Sequence, residues 1–245
     1  MKIAVILPLV APPFVQKNAL RHFSRIDGRE VFLRTLEIYT PREEVSQRIV
    51  VVTPSDMEEM HDRFASHLGF QDVTVATGGS DWASCIARAL EKLQPDIDTL
   101  LIHDACCPAV PYTLLDALED ALAKAPPTVA GIVPVLPSRA AFADVEGARS
   151  VKEYVDMAAV NEVQSPQIFR RQPLADAYAQ RADAAFVDDA ELLLNAGHRI
   201  ETISGSRLNM RMDADETVRL GKDLLGHLPR RKSRTPHNPF GEAEW

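Results

Sequence analysis

The chain has 245 residues, of which 46% are apolar and 25% charged, and a formal net charge of −8. These proportions are ordinary for a globular protein with a core of normal size. The acidic balance argues mildly against non-specific nucleic-acid binding, which runs on basic surface, and no apolar run reaches the ~18 residues that a membrane span requires.

The start, MKIAVILPLV, has one lysine and a short apolar run that meets Pro8 early. It reads as a strand; a signal peptide is the rival reading, disfavoured by the short run, the early proline and the lack of a clear small-residue cleavage site. Strand patterns follow at residues 2–7, 48–53, 72–76, 99–103 and 128–135. Helical patterns lie between them at 31–38, 56–68, 81–93 and 112–124. This alternation predicts a mostly parallel sheet covered on both faces. After Val135 the rhythm changes to short alternating segments around Gly147, which predicts a hairpin arm leaving the sheet. Helices resume near 173–181 and 188–196, with Gly197 as a C-terminal stop. A last strand at 199–204 precedes a closing helix at 213–225. The expected organisation is one domain over 1–228, with its arm at about 138–160, and a disordered polar tail over 229–245.

In such sheets ligands bind beyond the carboxyl ends of the strands. Three loops should face that site: the one after Leu7, TGGSD at 77–81, and HDACCP at 103–108. Asp104, just past a buried strand, can hold Mg²⁺ or cap the following turn. Gly78 and Gly79 allow close backbone approach to a base or ribose. Cys106 and Cys107, with Cys85, make no disulfide framework and read as reduced thiols of a cytoplasmic protein. A soft-metal or redox site with His103 and Asp104 is one reading of them, and small packing residues the other. Asp188 and Asp189 suit either a second carboxylate or a helix cap.

The segments TGGSDWASCIARAL, LLIHDACCPAVPYTLLDAL, GIVPVLP, VQSPQIF and FVDDAELLLNAG, in that order, resemble the 2-C-methyl-D-erythritol 4-phosphate cytidylyltransferase family. The likeness runs from Met1 to about Leu225. It implies a Rossmann-like, GT-A-like nucleotidyltransferase fold: an α/β three-layer sandwich with a mostly parallel sheet and a protruding β-arm. It also implies Mg²⁺-dependent transfer of CMP from CTP to a sugar-alcohol phosphate and homodimerisation through the arm. Carried onto this sequence, the family pattern places nucleotide-binding positions at Pro8, Gly78, Gly79, Cys85 and Asp104. Asp104 falls at the metal position, Ser165 and Arg139 in the acceptor site, and Arg211 at a late lysine. The catalytic lysine falls near Arg21, with Lys17 as the other candidate.

The pattern also breaks. Its Arg after the paired glycines falls on Trp82, and its Asp and Thr after Arg139 fall on Ala140 and Ala141. The Arg for the sugar phosphate falls on Met157, and a further Thr on Val187. Apolar side chains cannot neutralise a phosphate dianion. The glycine-rich phosphate loop is replaced by LVAPPFVQK, with Pro12 and Pro13 where N–H donors and free φ are needed. Lys17, Arg21, His22 and Arg25 still supply positive charge nearby. Three readings stand at this point: a working cytidylyltransferase, a nucleotidyltransferase with a different acceptor, and a non-catalytic binding or regulatory dimer.

Overall fold

The structure is a computed structural model that describes residues 1–15, 22–147, 149–181 and 185–228. Lys17, Arg21 and the predicted tail lie outside the described residues.

The main sheet has eight strands. Seven run in the order β10 (Asn161–Val163), β7 (Val129–Pro137), β11 (Gln167–Arg170), β6 (Thr99–Ile102), β1 (Ile3–Pro8), β4 (Val45–Val52) and β5 (Val73–Thr77), and β12 (Arg199–Ser204) pairs with β7. Strands β6, β1, β4 and β5 are parallel, while β11 runs antiparallel between β6 and β7. The sheet is therefore mixed but mostly parallel.

Every residue of β1 is buried. Its alternation divides the core: Ala4 and Ile6 face one cluster, and Ile3, Val5 and Leu7 face the other. The first cluster is covered by α3 (Trp82–Leu90), α5 (Arg171–Gln180) and α6 (Asp189–Asn195). The second is covered by α1 (Val31–Glu37), α2 (Met57–Phe70) and part of α4 (Tyr112–Lys124). Burial on both faces is why these strands read as continuous apolar runs. Helix α3 shows the underlying periodicity, with Trp82, Cys85, Ile86 and Ala89 buried on one stripe.

The predicted arm is a two-stranded hairpin, β8 (Ala143–Glu146) and β9 (Ser150–Tyr154), turning at Gly147 with φ of +55°. Four features were not anticipated. Strand β11 occupies the QIF motif because its antiparallel place in the core depends on distant partners. Strand β10, next to the arm, pairs with β7. A small hairpin, β2 (Arg25–Ile26) and β3 (Arg29–Glu30), precedes α1. Helix α3 stops at Leu90, short of the expected 93. The closing helix α7 spans Asp215–Gly226. Among the described residues no helix is long and apolar enough to cross a membrane.

Candidate functional site

The carboxyl ends of β1, β4, β5 and β6 bring together the three expected loops. A fourth, Thr53–Asp56 after β4, joins them; the strand-end rule could have named it too. Two depressions result. A pocket of only about 40 Å³ lies at Asp104, walled by Pro12, Pro13, Phe14, Trp82 and Ser165. A cleft of about 460 Å³ opens between the proline loop, the Thr53–Asp56 turn and the start of α3.

Asp104 is buried and engaged on every side. Its N–H donates to Ser165 Oγ (2.8 Å), its Oδ1 accepts the Cys106 N–H (2.9 Å), and its Oδ2 accepts Arg211 Nε–H (2.6 Å). Burial works against the Arg211 charge, yet Asp104 and the neighbouring thiols outweigh it and raise the guanidinium pKa. The segment bearing Arg211 is fastened at further points. Asn209 Nδ2 donates to the Ser165 carbonyl (2.5 Å), Gln164 Nε2 to the Ser206 carbonyl (3.0 Å), and Met212 N–H to the Cys106 carbonyl (2.7 Å). Residues 206–213 are thus tied across the end of β6.

The vicinal cysteines are core residues. Cys106 and Cys107 are 1% and 6% exposed, and burial pushes the Cys107 thiol well up. His103 is fully buried against the Tyr39 hydroxyl (2.7 Å), and desolvation pushes its pKa down to about 3. Among the described residues no group of three or more His, Cys, Asp or Glu could hold a metal ion.

Mg²⁺ asks for several hard oxygen donors in near-octahedral array. The carboxylates around the pocket are already committed. Asp104 is held by Arg211 and Cys106. Asp188 accepts Gln167 Nε2–H (2.9 Å) and caps α6 through the Glu191 N–H (2.9 Å). Asp189 accepts the Tyr178 hydroxyl (2.5 Å) and Trp82 Nε1–H (2.9 Å). This donor set does not fit a protein-held Mg²⁺.

The Asp189–Trp82–Tyr178 cluster replaces charge by an anchored indole. Burial pushes Asp189 up to about 6, against the pull of its two donors. The Asp188–Asp189 pair was visible in the sequence, but nothing there marked Tyr178 as its partner.

Gly78 and Gly79 have a packing reason to be glycine. A Cβ on Gly78 would lie 2.9 Å from the Cys85 Cα and 2.9 Å from Val51 Cγ1; one on Gly79 would lie 2.7 Å from Ser84 Cβ. The start of α3, capped by Asp81 accepting the Ser84 N–H (2.9 Å), sits directly on this backbone. Cys85 points into the core, donates its S–H to the Gly79 carbonyl (3.6 Å), and is pushed up to about 12 by burial. It presents no polar group to a nucleotide.

In the proline loop, Pro8 completes β1. The Leu9 N–H donates to the Val51 carbonyl (2.7 Å) and the Val15 N–H to the Pro12 carbonyl (2.9 Å). Pro12 and Pro13 have no N–H to give.

A family model described as 2-C-methyl-D-erythritol 4-phosphate cytidylyltransferase matches residues 14–225. The chain belongs to this family. A cytidylyltransferase of that name from Frankia casuarinae is 32% identical over 200 residues, covering 82% of this chain and 72% of its own. One from Acidobacterium capsulatum is 29% identical over 200 residues, covering 78% and 81%. The fold is shared with the cytidylyltransferase of Thermus thermophilus (TM-score 0.71, 23% identity, 89% of this chain and 96% of that one). It is also shared with the 4-diphosphocytidyl-2C-methyl-D-erythritol synthase of Anaerococcus prevotii (TM-score 0.73, 18% identity, 92% and 98%). At these identities the structures show the fold.

The match to the cytidylyltransferase family begins just past the two prolines. Of the positions the family pattern assigns, Asp104 and Ser165 meet at one pocket, and Arg211 reaches it through Asp104. Arg139 is exposed beyond the end of β7, Met157 lies past the arm hairpin, and Val187 is 54% exposed. Among the described residues none of these three lines the Asp104 pocket.

Proposed function

We propose that this protein is a cytidylyltransferase-family member that has kept the sheet and arm but no longer performs nucleotidyl transfer, acting as a binding or regulatory subunit. The observation that carries this reading is the buried Asp104–Arg211 ion pair at 2.6 Å. The pair consumes the carboxylate expected to face the metal and neutralises the arginine that stands at the family's late lysine. The surrounding pocket of about 40 Å³ leaves room for little more than a water molecule or two. Phosphoryl-type transfer rests on positioning and charge stabilisation, and each lost contact of that kind removes roughly 3 kcal/mol. The proline loop and the apolar residues at 140, 141, 157 and 187 point the same way.

A second reading, transfer of a nucleotide to a different acceptor, is favoured by one observation. The 460 Å³ cleft sits beyond the strand ends where such sheets bind nucleotides. If either transferase reading holds, Mg²⁺ would arrive with the nucleotide.

The deciding experiment is a pyrophosphate-release assay with CTP, Mg²⁺ and 2-C-methyl-D-erythritol 4-phosphate, beside thermal melts with CTP and Mg²⁺. The non-catalytic reading expects no pyrophosphate and no rise in Tm at millimolar CTP. Turnover with that acceptor would overturn it. A metal-dependent Tm rise without turnover would turn attention to a different acceptor.

A further inference from the structure

A separate cavity, of about 650 Å³, lies at the opposite end of the sheet. It opens at the amino ends of β6 and β12, where Thr99 pairs with Arg170 at the close of β11. Asp104 and the strand-end cleft sit past the other end of β6 and β1. Two consecutive arginines, Arg170 and Arg171, line this cavity, and both are partly buried.

Main-chain carbonyls hold each guanidinium along one edge. Arg170 donates from Nε to the Val129 carbonyl (2.9 Å) and from Nη2 to those of Ala125 (3.0 Å) and Leu122 (3.3 Å). Arg171 donates from Nη1 to the carbonyls of Gln94 (2.8 Å), Ile97 (3.0 Å) and Pro95 (3.3 Å). These bonds fix the planes of both groups. They leave Arg170 Nη1, and Arg171 Nε and Nη2, with no hydrogen bond to a described residue. An arginine carries five N–H donors, so about five N–H groups stay open on the pair. Neither guanidinium forms an ion pair with a carboxylate among the described residues.

Two carboxylates share the lining, and both are engaged. Asp98 accepts the Lys2 N–H (3.1 Å) and the Thr99 hydroxyl (2.6 Å), and Asp176 accepts Gln172 Nε2–H (2.8 Å). Asp96, whose charge reaches Arg171, is paired with Lys2 Nζ at 2.6 Å. His198 adds a ring with no side-chain hydrogen bond to a described residue. Pre-oriented guanidinium edges with open N–H groups suit an oxyanion. Two such edges offer more donors than one carboxylate can take, and they match the three terminal oxygens of a phosphate. The volume and the apolar wall at Leu122 and Pro127 leave room for an organic group beside it.

We infer that this cavity binds a phosphomonoester, at a site apart from the strand-end cleft. The phosphate oxygens accept from Arg170 and Arg171, and the organic part lies toward Leu122 and Pro127. The inference goes beyond the proposed function and holds whether or not the chain transfers nucleotides.

Isothermal titration of the full chain at pH 7.5 and fixed ionic strength tests it, with glycerol 3-phosphate, inorganic phosphate and glycerol as probes. Glycerol 3-phosphate should bind saturably at millimolar concentration or below, and glycerol should not bind. Arg171→Gln should weaken the phosphate about tenfold, the loss of one charge-assisted contact. Asp176→Asn should tighten it, because a negative charge facing the phosphate is removed. That second variant leaves every guanidinium–carbonyl bond in place, so it decides the matter even if Arg171→Gln fails to fold. Tighter binding of the ester than of inorganic phosphate supports an organic phosphate as the occupant; equal binding supports the site with free phosphate in it. No saturable heat with either phosphate, or binding that Asp176→Asn leaves unchanged, would overturn the inference. Phosphate held only at the strand-end cleft would give that last result.

Discussion

Arg211 donates its Nε–H to Asp104 across 2.6 Å, spanning 107 residues of sequence, and both side chains lie largely out of water, 14% and 5% exposed. A buried ion pair is poor proof of net stabilisation, but losing one partner strands the other charge in low dielectric. Arg211→Met should therefore cost roughly 3–5 kcal/mol, and Asp104→Asn a comparable amount. The double variant should lose clearly less than the sum, with a coupling of about 0.5–3 kcal/mol. Urea denaturation of the four proteins measures this. Strict additivity would mean that the pair does not hold residues 206–213 in place.

The paired glycines give a second prediction. An alanine methyl at position 78 would meet the Cys85 backbone at 2.9 Å, and backbone cannot rotate away. Helix α3 would have to shift off β4 and β5, costing about 1–3 kcal/mol as overpacking does. Gly28 is the contrasting position, because a Cβ there meets nothing within 4 Å. Its φ of +78° makes its alanine cost one of backbone strain alone. If Gly78→Ala melts like the wild type, the packing account of that glycine is wrong.

How much of this was legible in the sequence follows from what each feature depends on. The parallel strands and their helices were readable because burial on both faces leaves unbroken apolar runs such as Ile3–Pro8, and amphipathic stripes such as that of α3. The arm was readable from Gly147 and the change of rhythm around it. Strand β11 was not, because QIFR becomes a strand through pairing with β6 and β7 from opposite sides. In the site, Asp104 and Arg211 were both singled out, but their direct contact was not, since nothing local encodes a pairing over 107 residues. Cys85 and the two glycines were assigned to the ligand side. The structure adds a packing reason for them, the close approach of α3, which a loop sequence does not distinguish from close approach of a nucleotide.

The arm leads to a third prediction. Val145, Val151 and Tyr154 on the β8–β9 hairpin are 51%, 55% and 73% exposed, a density of apolar side chains that marks an interaction surface. We propose that a second copy covers it, as the family resemblance implies. Sedimentation velocity should show a dimer, and the double variant V151E/Y154E should sediment as a monomer. Its Tm should fall with the lost interface, while urea unfolding of the monomeric variant stays cooperative, because neither side chain belongs to a core cluster. A wild-type monomer would remove the arm's proposed role.

Two buried groups, His103 and Asp189, and the half-buried Glu119 contribute to the pH dependence, and they act in opposite directions. His103 is held at about 3 by desolvation, against an ordinary 6.5. The unfolded chain takes up a proton that the folded protein refuses, so this contribution is lost as pH falls from about 6.5 toward 3. Glu119 behaves inversely. Burial raises it from 4.5 to about 7, although Arg42 Nη2 lies 2.8 Å away and pulls it down. The folded protein keeps a proton that the unfolded chain releases, so stability declines as pH rises from 4.5 through 7. Asp189, at about 6 against 3.8, adds to that decline at slightly lower pH. Glu119→Gln removes one titration while leaving an acceptor for Arg42. Its stability relative to wild type should improve as pH rises from 5 to 7, with a limiting slope near 1.4 kcal/mol per pH unit for one full proton. Urea unfolding at successive pH values measures that difference. A pH-independent offset between the two proteins would mean that Glu119 ionises as an ordinary surface carboxylate, and that Arg42 compensates its burial completely.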